Sequence, residues 1–203
     1  MIRPTGILLA GGQGHRFRAS GGGDKLLHHL SDGRPVAVAA LAYLQAACAE
    51  VVAVLRPGQE EAASMLWDAG ARIVISEDCA QGMGHTLAAG VSASVKAHGW
   101  LLALADMPFI RPATVHSVAN ALNEGASIAA PMFDGRRGHP VGFSASWREQ
   151  LSVLNGERGA RELLQRHVDC IQLIECEDAG IHADIDVLQD TLRVNHAAEL
   201  HAL

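Results

Sequence analysis

The residues best equipped for chemistry come early in the chain: Leu9, Ala10, Gly11, Gly12 and Gly14, then Arg16 and, further on, Lys25. Glycines let backbone N–H groups come close to an anion, and successive N–H groups form a concave anion seat. Arg16 can fork onto phosphate oxygens, and Lys25 supplies a mobile point charge. A triphosphate is the natural occupant; an ordinary strand-to-helix turn with surface charges is the alternative. The matching acidic groups lie far along the chain. Asp106 follows an apolar run over residues 100–105 and precedes Met107-Pro108. His182, Asp184 and Asp186 alternate, so on a strand all three would face one side. Two carboxylates from separate segments could clamp Mg²⁺ against a triphosphate and neutralise charge as a nucleophile attacks phosphorus. Asp186 is the expected partner of Asp106, although Asp184 or Asp186 could instead cap a final helix. A transition metal on the His-Asp-Asp set is a further alternative.

Two more stretches could touch ligands. Gln81-Gly82-Met83-Gly84-His85-Thr86 opens an expected helix, with Thr86 as its cap. Its glycines would expose N–H groups and leave room for a flat ring, so Gln81, Gly82 and Gly84 could read a nucleobase or ribose. Arg137-Gly138-His139-Pro140, in a turn that begins at Asp134, could hold a second anionic substrate if it folds over the strand ends; a solvated hairpin tip is the plainer alternative. His139 could serve as a base, but a phosphate nucleophile is already ionised near neutral pH. The glycine-flanked basic turn Gly156-Glu157-Arg158-Gly159-Ala160-Arg161 has less to commend it. His28, His29, His98, His116, His167, His196 and His201 have no matching partners and read as structural or surface residues.

Positioning these groups falls to alternating elements. Apolar runs at 7–10, 51–55, 72–75, 100–105 and 127–130 read as strands, and 36–47, 60–69, 86–97 and 112–123 as helices. Strands apolar on both faces, alternating with helices, predict a mostly parallel sheet with helices on each side. Ligands of such sheets gather at the carboxyl ends of the strands, which is where the Gly11 loop and Asp106 fall. The second half reads as a strand at 141–144, helices at 147–154 and 159–167, strands at 171–174 and 181–185, and a last helix at 188–200.

With 203 residues the chain has room for one domain, 1–203. Its 49% hydrophobic and 19% charged content is that of a soluble globular protein. A net charge of −6 without a basic stripe argues against nucleic acid as partner, and no apolar run approaches membrane-spanning length. The first strand begins too early to leave room for a signal peptide, and the four cysteines form no C-x-x-C pair, so no structural zinc and a reducing cytoplasmic setting are expected.

The ordered stretches Leu9-Ala10-Gly11-Gly12-x-Gly14-x-Arg16-Phe17 with Lys25, Gln81-Gly82-Met83-Gly84-His85-Thr86-Leu87, Leu104-Ala105-Asp106-Met107-Pro108, Arg137-Gly138-His139-Pro140-Val141 and Asp184-Ile185-Asp186 cover nearly the whole chain. In them it resembles the MobA-like nucleotidyltransferases of molybdenum-cofactor maturation, and most closely their molybdopterin cytidylyltransferase branch. The resemblance implies an α/β, Rossmann-like nucleotidyltransferase fold, with residues 1–130 holding the nucleotide and 131–203 binding the acceptor and completing the metal site. It implies Mg²⁺-dependent transfer of CMP from CTP to the terminal phosphate of molybdopterin or its molybdenum form, with pyrophosphate released. Leu9, Ala10, Gly11, Gly12, Gly14, Arg16 and Lys25 would bind the nucleotide, with Gly11, Gly12, Arg16 and Lys25 on its triphosphate, and Gln81, Gly82 and Gly84 would lie near its base and ribose. Arg16, Lys25 and Asp106 would carry catalysis, and Asp106 and Asp186 the metal. Arg137, Gly138, His139 and Pro140 would face the pterin, and a molybdoenzyme or its chaperone would receive the product.

Two features depart from that branch. Its first motif usually reads Leu-Ala-Ala-Gly, whereas Leu9-Ala10-Gly11-Gly12 is closer to the guanylyl branch, so GTP stands as the alternative to CTP. The segment between Arg16 and Lys25 is also long, with Ser20-Gly21-Gly22-Gly23 inside it. Transfer to a sugar phosphate and a non-catalytic nucleotide-binding partner of a molybdoenzyme are further alternatives. A dinucleotide-dependent oxidoreductase is disfavoured: the glycine spacing is not G-x-G-x-x-G, and Arg56-Pro57 stands where an acidic residue would end the second strand.

Overall fold

The computed structural model describes residues 3–191. The sheet grows from β1 (Thr5–Leu9), β2 (Glu50–Leu55), β3 (Arg72–Ile75) and β4 (Gly99–Leu104), which pair in parallel in the order β3-β2-β1-β4. The chain steps outward from β1 to β3 and then returns to the other side of β1 for β4. The loops leaving β1 and β4 therefore diverge and open a crevice at their carboxyl ends. Side chains of β1, β2 and β4 are almost all buried, as expected of strands covered on both faces. Leu8, Ala53, Leu55, Leu101 and Ala103 pack in one core cluster with Leu41 and Leu44 of α2 (Val36–Ala47), Leu66 of α3 (Glu60–Asp68) and Val115 of α5 (Pro112–Asn123). Ile7, Val52, Val54, Trp100 and Leu102 pack in the other, with Leu87 and Val91 of α4 (Met83–Ala93) and Leu151 and Leu163 of α6 (Arg148–Ser152) and α7 (Arg161–Arg166). Alternation along each strand thus sends one set of side chains to each helical layer.

The remaining strands complete a mixed, 8-stranded sheet. β7 (Val141–Ser144) runs antiparallel between β4 and β5 (Ile128–Phe133). β8 (Ile171–Glu175) joins β5 in parallel, and β6 (Arg136–Arg137) returns against it as a short hairpin. The expected turn at Asp134 is the tip of that hairpin, with Asp134 and Gly135 at φ 51° and 68°. Among the described residues no helix is long and apolar enough to cross a membrane.

Two sequence expectations need correction. Residues 181–185 do not form a strand. The chain leaves β8, makes a 3-10 turn over Ala179–His182, and continues without sheet pairing. The cause is local: Asp178 accepts the Gly180 N–H at 3.0 Å and caps the turn, and the Ile181 carbonyl and Ile185 N–H are engaged by His139 and Asp106. The strand geometry that would have put His182, Asp184 and Asp186 on one face is therefore absent. Likewise α4 begins at Met83, with Gly82 as its N-cap, and Thr86 donates its hydroxyl back to the Gly82 carbonyl at 3.3 Å. The helix expected at 188–200 extends outside the described residues.

Candidate active site

The crevice between the ends of β1 and β4 gathers most of the residues picked out by type and spacing. The ladder continues one residue past β1, with the Ala10 N–H on the Val54 carbonyl at 2.9 Å and the Ala105 N–H on the Leu9 carbonyl at 3.1 Å. Then it stops. The N–H groups of Gly11, Gly12, Gln13 and Gly14 meet no acceptor among the described residues. A side chain on Gly11 would collide with Cys79, whereas Gly12 faces open space. Gly14, at φ 60°, turns the chain into α1 (His15–Ala19). Four unspent amides at the end of a buried strand make a seat for an anion.

Lys25 and Asp106 meet over this seat, with Nζ 2.6 Å from Oδ2 and the side chains 12% and 23% exposed. The other carboxylate oxygen, Oδ1, is buried with no hydrogen-bond partner. Residues 184–186 are brought alongside by the Ile185 N–H, which donates to the Asp106 carbonyl at 2.9 Å. Ile185 itself packs in a small apolar cluster with Phe17 of α1 and Val36 of α2, so the glycine loop and the acidic segment share one footing. Asp178 steadies the same segment from the other end. It is 2% exposed and accepts from the Arg111 N–H at 2.9 Å and the Thr114 hydroxyl at 2.6 Å.

Burial, then the negative charges of Asp186 and Asp106, hold the Asp184 carboxyl above its usual range, with Lys25 acting in the opposite sense. Arg16, expected on a triphosphate, is 77% exposed and pairs with Asp186. Neither Asp184 nor Asp186 caps the turn after residue 186; the Asp190 carboxylate accepts the Asp186 and Val187 N–H groups at 2.9 and 2.8 Å. Crowded carboxylates with one orphaned buried oxygen are the donor set a hard divalent cation takes. Among the described residues no three His, Cys, Asp or Glu side chains could hold a metal unaided. A cation here would complete its shell with substrate phosphate oxygens and water.

On the α4 side an open cleft is lined by Gly11, Gly12, Gln13, Ala80, Gly82, Met83, Thr86, Asp106 and Glu157, among others. Gly82 lies in it as expected. Gln81 is exposed and donates its amide to Asp78 at 2.7 Å, away from the cleft. Gly84 serves the loop 155–159: its N–H donates to the Gly156 carbonyl at 2.8 Å, and a side chain there would run into the Asn155 backbone. Its amide is therefore spent and closed to a base or ribose. The same loop carries Glu157 to the cleft wall, a placement the sequence signalled only through the flanking Gly156 and Gly159, at φ 69° and 52°.

The loop expected to face an acceptor abuts the acidic segment. Gly138 packs on Ile181, where a Cβ would come within 2.5 Å, and the His139 N–H donates to the Ile181 carbonyl at 3.2 Å. Nδ1 of His139 is buried without a partner. Burial pulls the His139 pKa below its ordinary value, opposed by a backbone hydrogen bond at Leu102 and the charge of Asp106. Arg137 is exposed on β6, and Pro140 is buried.

Comparison with known proteins bears on this arrangement. The family model for the MobA-like NTP transferase domain matches residues 6–171. The nicotine blue oxidoreductase of Paenarthrobacter nicotinovorans is 32% identical over 197 residues, covering 94% of this chain and 95% of that protein. The crystal structure of Rv0371c from Mycobacterium tuberculosis H37Rv superposes with a TM-score of 0.77 at 25% identity, covering 95% of this chain and 97% of that one. Rv0371c has also been solved in complex with manganese, with a TM-score of 0.72 at 24% identity. A nucleotidyl transfer enzyme of Methanothermobacter has the same fold, with a TM-score of 0.80 at 23% identity over 98% of this chain and 99% of that one.

Proposed function

The chain belongs to the MobA-like NTP transferase family, a nucleotidyltransferase family, and from that premise we propose that it transfers CMP from CTP to the terminal phosphate of molybdopterin or its molybdenum form. An oxygen of the acceptor phosphate forms the new bond to the α-phosphorus. The bond from that phosphorus to the bridging oxygen breaks, and pyrophosphate leaves with the electron pair. The observation that carries this reading is the pairing of Lys25 with Asp106 beside the unspent amides of residues 11–14.

Positioning and charge do the work in such a displacement. The amides of residues 11–14 and the Lys25 ammonium take the phosphates, and Arg16 swings from Asp186 to join them. The nucleoside lies against Gly82 and Met83. Asp106 and Asp186 would hold Mg²⁺, which when bound supplies neutralisation of phosphate charge. The acceptor approaches past Arg137 and His139; its phosphate is ionised at neutral pH and needs no base. A cytoplasmic setting and a molybdoenzyme or its chaperone as recipient belong to the same proposal.

Two observations favour other readings. Leu9-Ala10-Gly11-Gly12 favours GTP as donor. The name of the Paenarthrobacter relative, an oxidoreductase acting on nicotine blue, favours redox chemistry in this cleft. One experiment separates them: incubation with molybdopterin, Mg²⁺ and each of the four NTPs, with pyrophosphate release and product mass measured, beside an incubation with nicotine blue and a reduced nicotinamide dinucleotide. We expect pyrophosphate and a cytosine dinucleotide only with CTP. A guanine dinucleotide would move the donor to GTP. Change in the dye without pyrophosphate release from any NTP would overturn nucleotidyl transfer.

A further inference from the structure

Arg56 stands just beyond β2, at the same sheet end as the glycine loop and Asp106. Its backbone N–H donates to Oε1 of Gln59 at 2.9 Å, and Nε2 of Gln59 donates to the Ala10 carbonyl at 3.1 Å. Gln59 is 5% exposed, so this latch between the β2 and β1 loops is an internal one. The Arg56 guanidinium is short of partners. Nε is buried with none, Nη1 reaches the Pro57 carbonyl at 3.2 Å, and no carboxylate pairs with the group among the described residues. Buried N–H donors are seldom left unspent, and the ordinary complement of a guanidinium is an oxyanion.

The side chain lines a recess with Arg18, Lys25, Gly12 and Gly14, on the other side of the glycine loop from Gly82 and Glu157. Its charges do not cancel. Lys25 is committed to Asp106, and one Asp24 oxygen accepts the Leu26 N–H. Arg18 has only a 3.4 Å contact with His15, so both arginines lack carboxylates among the described residues. The recess and the larger cleft share a wall at Gly12, Gln13 and Asp106.

We propose that this recess is a phosphate subsite in which Arg56, with Arg18, holds the two terminal phosphates of the nucleotide, the group that departs as pyrophosphate. The inference rests on the nucleotidyl-transfer reading and adds a direction to it. With the nucleoside against Gly82 and the diphosphate against Arg56, the α-phosphorus falls at the shared wall, beside Asp106. Bond breakage there leaves CMP on one side of the glycine loop and pyrophosphate on the other.

Calorimetric titration of CTP, CMP and inorganic pyrophosphate into the wild type, Arg56→Ala, Arg56→Gln and Arg56→Lys tests it. Arg56→Ala and Arg56→Gln should each weaken CTP and pyrophosphate by about tenfold to a hundredfold while leaving CMP unchanged, and Arg56→Lys should recover part of the loss. Arg56→Gln carries the same reading if Arg56→Ala does not fold. Unchanged CTP and pyrophosphate affinity in the neutral variants, or an equal loss for CMP, overturns the subsite alone. A wild type that binds neither CTP, GTP nor pyrophosphate overturns the underlying function as well.

Discussion

Nζ of Lys25 lies 2.6 Å from Oδ2 of Asp106, and Oδ1 of the same carboxylate is buried with no partner. One oxygen is held by the protein, and the other would take the cation if Asp106 holds the metal as proposed. Asp106→Asn keeps an acceptor for Lys25 and removes the charge. Turnover should fall by about a hundredfold or more while the thermal midpoint stays close to wild type. A rate near wild type at ordinary magnesium would remove Asp106 from the metal site.

Arg16 predicts a split between stability and binding. Its pair with Asp186 is exposed, and such pairs contribute under about 1 kcal/mol. Arg16→Ala should melt with the wild type yet bind CTP about tenfold to a hundredfold more weakly. Equal CTP and GTP affinity in the two proteins would exclude Arg16 from the phosphate cradle.

Gly84 and Gly12 should fail in opposite ways. A methyl group on Gly84 meets the Asn155 backbone, an overpacking cost of about 1–3 kcal/mol that unseats the loop 155–159. Gly84→Ala should lower the melting temperature and speed proteolytic cleavage at Arg158. Gly12 has nothing within 4 Å of an added Cβ, so Gly12→Ala should fold as the wild type does and lose nucleotide affinity by crowding the ligand. Normal binding by Gly12→Ala would move the phosphates away from this loop.

Asp178 joins the acidic segment to α5 through buried hydrogen bonds. Asp178→Ala strands their donors and should cost about 2–4 kcal/mol, measured by chemical denaturation. Half-saturation for magnesium should also rise, because the segment bearing Asp184 and Asp186 loses its anchor. A stable variant with unchanged metal dependence would show that the Ile185 contact holds the segment by itself.

His139 sets a pH dependence. Burial lowers its pKa in the folded state, so below about pH 6.5 the unfolded chain binds more protons there than the folded one. Its contribution to stability is complete above that range and is lost as pH falls from there toward the lowered folded value. Melting temperatures taken downward from pH 7 should drop more steeply for the wild type than for His139→Gln. Parallel curves would remove His139 as the cause.

The first 130 residues were legible because strands buried on both faces are written as plain apolar runs. Arg72–Ile75 and Pro112–Asn123 could be read to the residue. The second half was harder. The alternation around Ile181 and Ile185 resembled a strand, but their backbone groups bond to His139 and Asp106, and no local pattern announces such distant partners. Lys25 and Asp106 stood out by residue type and by position at the sheet's carboxyl edge. Arg56 and Glu157 did not, since only the folded chain brings them to the crevice. Gly84 carried an ambiguous signal: a glycine marks a close approach, and here the approaching group is the Gly156 backbone.

The antiparallel strand β7, inserted between β4 and β5, has a consequence for synthesis. Until residue 144 has left the ribosome, β4 is an open edge of apolar side chains with unpaired peptide groups, and β5 has no place to dock. A nascent chain with residues only as far as about 130 outside the ribosome would carry the glycine loop, Lys25 and Asp106 on a sheet with a sticky border. That stage, rather than the finished enzyme, is where chaperone protection against aggregation would matter most.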